Sequence, residues 1–137
     1  MSWTSFEGKA QTLEDLRGKV VVLDFWATNC PPCVAEIPHL NDLQTKYGLE
    51  NLQIVGLHAG DDEDRAKVPE FAERLKIIYP LAVPEDALTR FIFATDDSIP
   101  QTAVFDRDGK LVRKFVGYGD LKTKNDLDKT VEQTINQ

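Results

Sequence analysis

The sequence predicts an α/β fold: a central mixed β-sheet flanked by helices. Three observations carry this expectation. The run Lys19 to Trp26 is almost continuously apolar, the pattern of a strand covered on both faces, and Leu52 to His58 reads as a second buried strand. Segments with apolar residues at helical spacing separate and follow them. A turn-punctuated strand pair near the end, Thr102 to Phe105 and Leu111 to Val116, adds an antiparallel hairpin. The length, 137 residues, suits one domain spanning 1–137, and no linker, repeat or low-complexity stretch divides it.

Each element has its own signal. Trp3 to Phe6 and Lys9 to Thr12 read as a hairpin around Glu7-Gly8. Thr12 and Asp15 can start a short helical turn that stops near Gly18. After the first apolar strand, Pro32 to Tyr47 reads as a helix with the stripe Ile37, Leu40, Leu43 and Tyr47, and Gly48 as its stop. Asp61 to Lys76 reads as a helix with Val68, Phe71, Ala72 and Leu75 inward, with Pro69 kinking it or marking a later start. Ile77 to Val83 is expected as a strand, and Pro84 to Phe93 as a helix opened by its proline. Asp106-Arg107-Asp108-Gly109 turns the late hairpin, and Leu127, Val131 and Ile135 line a final amphipathic helix.

Composition narrows the function. The net charge of −7 repels phosphate backbones and argues against nucleic acid as a partner. No apolar run is long enough to span a bilayer, and no secretory signal pattern follows Met1. The only two cysteines, Cys30 and Cys33, stand as Cys-Pro-Pro-Cys, so no multi-disulfide framework exists. With His39 and His58 as the only histidines, a four-ligand zinc site is poorly supplied, and redox chemistry is the better reading.

Disulfide exchange needs a thiolate, an accessible attacking sulfur and a second sulfur to resolve the mixed disulfide. Cys30 lies just before a helix, where unpaired N–H groups and the helix dipole favour a thiolate, so it is expected to be the exposed nucleophile. Cys33, inside the first turn, is expected to be buried and to resolve. Pro31 and Pro32 stiffen the loop and remove N–H donors. Glu36 lies one turn beyond Cys33, and Asp24 sits inside an apolar strand, where a carboxylate is costly without a task or partner. Either can take the Cys33 proton. The plainer alternatives are a solvated helix residue for Glu36 and a backbone-bonded strand-end residue for Asp24. Trp26 flanks the loop. Ile99-Pro100 precedes the Thr102 strand, where position alone favours an ordinary trans turn. His58 reads as a core or surface residue, and Asp61-Asp62-Glu63-Asp64 as a solvated helix start without calcium-loop spacing.

The run from Val20 through Cys33, Val-Val-Val-Leu-Asp-Phe-Trp-Ala-Thr-Asn-Cys-Pro-Pro-Cys, with Glu36 and Pro38 after it, resembles the thioredoxin superfamily. Within it, the chain resembles the TlpA/ResA group of extracytoplasmic thiol–disulfide oxidoreductases. The features are the Ala27-to-Pro38 motif, the segment Asp61 to Thr95 inserted before the proline loop, and Ile-Pro-Gln-Thr-Ala-Val-Phe-Asp-Arg-Asp-Gly-Lys-Leu-Val from Ile99. The resemblance implies a thioredoxin-like fold with an N-terminal hairpin, Cys30 as nucleophile, Cys33 as resolving thiol, Glu36 as active-site acid, and a cis Pro100. It implies a substrate-facing surface built from Trp26, Asn29, Pro31, Pro32, Ile99 and Pro100. It also implies no cofactor beyond the redox-active Cys30–Cys33 disulfide, and no metal.

Two departures stand out. Asn29 occupies the place where the family usually has an aromatic residue, which alters the docking surface. Asp24 matches thioredoxins proper, whereas many TlpA-like relatives carry Asn, so this site holds two acid–base groups. Family members often begin with a further segment, so this chain is expected to be a domain of a longer exported precursor working in the cell envelope or periplasm. The expected function is reduction of protein disulfides, apocytochrome c among them, by a monomer recharged from a membrane or soluble thiol donor. The competing readings are a general thiol oxidoreductase or peroxidase relative, and a non-catalytic thiol-based binding module or metal carrier.

Overall fold

The computed structural model describes residues 1–137. Strands β1 (Ser2–Ser5) and β2 (Ala10–Thr12) lead through a 3-10 turn at Glu14–Leu16 to β3 (Val20–Trp26). Helix α1 (Pro31–Tyr47), β4 (Leu52–His58), α2 (Asp62–Arg65) and α3 (Val68–Arg74) follow. The chain continues through β5 (Leu81–Pro84), α4 (Asp86–Phe93), β6 (Gln101–Phe105), β7 (Leu111–Val116) and α5 (Leu121–Ile135). One mixed sheet of seven strands has the order β2-β1-β5-β4-β3-β6-β7. β3 runs parallel to β4, and β4 to β5, while β6 lies antiparallel beside β3 and β7 antiparallel beside β6. No helix is long and apolar enough to cross a membrane.

Every residue of β3 is buried, as its largely apolar run leads one to expect, and so is every residue of β4, Gln53 and His58 included. Period-2 alternation then sorts them between two cores. Val21, Leu23 and Phe25 pack with Val55, Leu57, Leu88, Ile92 and Phe105 on one face. Val20 and Val22 pack with Leu40, Leu43, Ile54, Leu127 and Val131 on the other, under α1 and α5. Each buried Val, Leu or Phe contributes about 1.5–3 kcal/mol, so the six apolar residues of β3 readily offset the cost of the one carboxyl, Asp24, carried among them. Gly56, paired with Asp24 across the sheet, is needed for close approach: a Cβ there would lie 2.6 Å from Leu81 Cδ2 and 3.2 Å from Trp26 Nε1.

Three sequence expectations are corrected. The Asp61-to-Lys76 helix is two helices, α2 and α3, with Pro69 in the first turn of α3. A proline there lacks the N–H that a continuous helix would bond, so the later start prevails. The Ile77-to-Val83 strand shrinks to β5, because residues 76–78 end α3 and tie it to α1. Lys76 has φ 56°, Ile77 N–H bonds Ala72, and Ile78 N–H donates to Asn41 Oδ1 at 3.1 Å. Pro84 closes β5 rather than opening α4. It pairs with Trp3 beyond the last β4 contact, where its missing N–H interrupts no parallel ladder. The N-terminal hairpin also joins the main sheet, through β1 against β5.

Candidate active site

The switch from β3 to α1 builds the centre. Trp26 ends the strand, Ala27 to Asn29 cross the sheet edge, and Cys30 is the N-cap of α1 in extended conformation. Pro31 and Pro32 occupy the first two helical positions and carry no N–H, so the first free helix donor is that of Cys33. It points at Cys30 Sγ from 3.3 Å, the contact that stabilises a thiolate at a helix N-terminus. Cys30 and Cys33 are closed as a disulfide with Cα atoms 5.2 Å apart. Cys33 is fully buried, and Cys30 is 8% exposed. Cys30 is therefore the more accessible sulfur, although in the disulfide form it is far from open. In the reduced protein, brief iodoacetamide treatment followed by mass spectrometry should find Cys30 labelled well ahead of Cys33; equal labelling or the reverse order overturns the division of roles.

The Ile99–Pro100 bond is cis, not the trans turn that its position alone favours, as the family resemblance implies. The Ile99 carbonyl oxygen lies 3.7 Å from Cys30 Sγ, and Pro100 is buried. Beneath the cysteines lie the two carboxyl groups. Glu36 is 1% exposed, so the solvated alternative fails; its Oε2 accepts a 2.8 Å bond from Thr102 Oγ1. Thr102 pairs with Asp24 across β3 and β6, which brings all three groups together. Asp24 is wholly buried and neither oxygen has a hydrogen-bond donor, so the backbone-bonded alternative also fails. Burial, and then the negative charge of Glu36, push the Asp24 carboxyl well above the usual carboxylate range. Burial likewise raises Glu36 to about 7, against the opposing Thr102 hydrogen bond. Two acids in such contact titrate as a pair and favour holding one proton between them.

The other expected site residues divide by exposure. Asn29 and Pro31 are exposed, Pro32 and Ile99 are half-buried, and Trp26 is buried beneath the loop. Trp26 forms the floor of the site, edge-on to His58 at 6.2 Å and against Phe71 at 5.9 Å. Asn29, Pro31 and Val34 face Phe71 and Arg74 across an open groove beside the disulfide. Sequence reasoning missed Thr102, whose hydroxyl only the sheet register brings to Glu36. It also misread Asp64: within the acidic run it is buried at 3% exposure, not solvated. No group of three His, Cys, Asp or Glu side chains is arranged to hold a metal ion.

A dithiol pair at a strand-to-helix junction, a cis-proline loop against its first sulfur, and this sheet order define a thioredoxin-like protein. The Redoxin family profile matches residues 4–131, and the chain belongs to that family, on its TlpA/ResA-like side. The thiol-disulfide oxidoreductase ResA of Bacillus cereus is 37% identical over 115 residues, 83% of this chain and 64% of the relative. The ResA of Bacillus thuringiensis subsp. konkukian is 33% identical over 132 residues, 95% of this chain and 72% of the relative. Against the first of these, the chain spans just under two thirds of the relative's length. A solved thiol:disulfide interchange protein of the thioredoxin family from Chlorobium tepidum superposes with TM-score 0.81 at 27% identity, covering 98% of this chain and 92% of that one.

Proposed function

We propose that this chain is a thiol–disulfide oxidoreductase that reduces protein disulfides through Cys30 and Cys33. The observation that carries the reading is Cys30 at the N-cap of α1, with the Cys33 N–H on its sulfur and Asp24 and Glu36 buried beneath the pair. Cys30 thiolate attacks one sulfur of a substrate disulfide; a mixed disulfide forms and the other substrate sulfur leaves as a thiol, taking a proton. Cys33 gives its proton to the Asp24–Glu36 pair and attacks Cys30 Sγ. The Cys30–Cys33 disulfide forms, the second substrate thiol is released, and two electrons have passed to the substrate. A thiol donor then restores the dithiol. Ile99 and Pro100 line the approach to Cys30, and an extended substrate strand pairing with that loop backbone is the matching mode of docking.

The finer reading rests on the resemblance to the TlpA/ResA group. The chain, residues 1–137, works as one monomeric domain in the cell envelope, with the disulfide of oxidised apocytochrome c as substrate and a membrane or soluble thiol as donor. Insulin reduction in the presence of dithiothreitol tests the activity: the chain should accelerate precipitation of the insulin B chain, and Cys30→Ser should abolish this. Wild-type turnover no faster than dithiothreitol alone sinks the enzymatic reading and leaves a thiol-based binding module in its place. The Cys30–Cys33 reduction potential then sets direction, with about −270 mV favouring a reductase and about −120 mV an oxidant.

A further inference from the structure

The segment His58 to Arg65, between β4 and α2, converges on one residue of the active-site loop. Thr28 spends both of its donors on Asp64: its backbone N–H reaches Oδ2 at 3.0 Å, and its hydroxyl donates to Oδ1. Asp64 is held from the other side. His58 Nε2 lies 2.8 Å from Oδ2, and the Asp61 carboxylate, the N-cap of α2, accepts from the Asp64 backbone N–H at 2.8 Å. Arg65 Nε donates to His58 Nδ1 at 3.4 Å. An arginine can only donate, so Nδ1 is the acceptor and Nε2 carries the proton given to Asp64. Gly60 leaves the room: a Cβ there would stand 2.9 Å from His58 Nε2 and 3.1 Å from Asp64 Oδ2. His58 and Asp64 are 1% and 3% exposed, so this is a buried carboxylate with a full set of donors. Burial raises its pKa, but the bonds from Thr28 and His58 outweigh that and hold it below the usual range.

We infer that Asp64 is a positioning residue of the redox site, an anchor by which the inserted segment fixes the loop that presents Cys30. Only Asn29 separates Thr28 from Cys30, and the loop has no other side-chain anchor on its outer edge. The place of Cys30 Sγ over the Cys33 N–H and beside the Ile99 carbonyl follows from where Thr28 is pinned. Releasing Thr28 weakens the thiolate contact at the helix N-terminus and with it the dithiol form relative to the disulfide. The inference rests on the reading of this pair as the redox centre.

The test uses Thr28→Val, which keeps the shape and removes one donor, Asp64→Asn, which keeps the shape and removes the charge, and Thr28→Ser, which keeps both donors. Two readouts are taken on the folded proteins: the equilibrium of Cys30–Cys33 with glutathione, and the pH profile of Cys30 alkylation. For Thr28→Val the equilibrium should move about tenfold toward the disulfide, with the alkylation midpoint displaced upward by about one pH unit. Asp64→Asn should move the equilibrium, and Thr28→Ser should return both readouts to the wild-type values. Should Asp64→Asn fail to fold, Thr28→Val still decides. Variants that melt at lower temperature yet keep the wild-type equilibrium and alkylation profile overturn the inference and leave Asp64 a purely structural residue. The glutathione equilibrium does not depend on which sulfur attacks or on turnover of any protein substrate. It therefore separates failure here from failure of the oxidoreductase reading.

Discussion

Cys33→Ser should halt disulfide reduction after the first exchange and be recovered as a mixed disulfide through Cys30. Cys30, at the N-cap with the Cys33 N–H at 3.3 Å, still opens the substrate disulfide. Release then needs an attack from Cys33, fully buried in the first turn of α1. Serine fits there, but its hydroxyl is far too weakly ionised near neutral pH to displace a sulfur. The adduct should persist on non-reducing gels and vanish with dithiothreitol. Cys30→Ser should trap far less, since its remaining thiol has no exposed surface. Trapping in the cell envelope separates the finer substrate readings: adducts with Cys-x-x-Cys-His proteins support apocytochrome c, and adducts with many unrelated secreted proteins support a general oxidoreductase. A folded Cys33→Ser chain that yields no dithiothreitol-sensitive adduct contradicts the enzymatic reading.

The second large effect concerns the buried acids. Asp24→Asn with Glu36→Gln should slow the resolving step by about 10²–10⁴-fold, and each single change should cost less, because the remaining acid can still take the Cys33 proton. The same pair sets an opposite effect on stability. The folded pKa of Glu36, about 7, lies above its ordinary value of 4.5, so the native state keeps a proton that the unfolded chain gives up. Between those values unfolding releases protons, and stability must fall as pH rises. The full displacement corresponds to roughly 3 kcal/mol. Asp24, raised well above its usual range, extends the loss further up the pH scale. Urea unfolding of the oxidised protein should therefore show lower stability at pH 8 than at pH 5. Glu36→Gln should reduce that slope and exceed wild type at pH 8. A wild-type stability that is flat or rising over this window, or variants with unchanged resolution rates, would assign both residues a structural role only.

Asp24 and Glu36 also show how much of the site was legible beforehand. Asp24 was visible because a carboxylate inside Val-Val-Val-Leu-Asp-Phe-Trp has no cheap explanation, and Glu36 because it stands one turn after Cys33. What joins them was not visible. Thr102 is distant in sequence from both, and it meets Glu36 only because β6 lies antiparallel to β3 in a register that pairs it with Asp24. Asp64 was hidden for the opposite reason: in an acidic run beside exposed Asp62 and Glu63, its composition pointed to water.

By itself, then, the sequence determined what local chemistry dictates. The apolar run of β3 called for two-sided burial, Gly48 and the prolines punctuated α1, and Cys-Pro-Pro-Cys at a strand-to-helix junction pointed to a redox pair. Tertiary structure decided what depends on contacts between distant segments. The docking of the N-terminal hairpin on β5, the division of residues 61–76 into α2 and α3, the neighbourhood of Asp24, Thr102 and Glu36, and the grip of Asp64 on Thr28 are all of this kind. Such contacts depend on sheet order and register, which periodicity leaves free. The protonation of the buried acids follows them, because desolvation and mutual charge act only once the segments have been packed together.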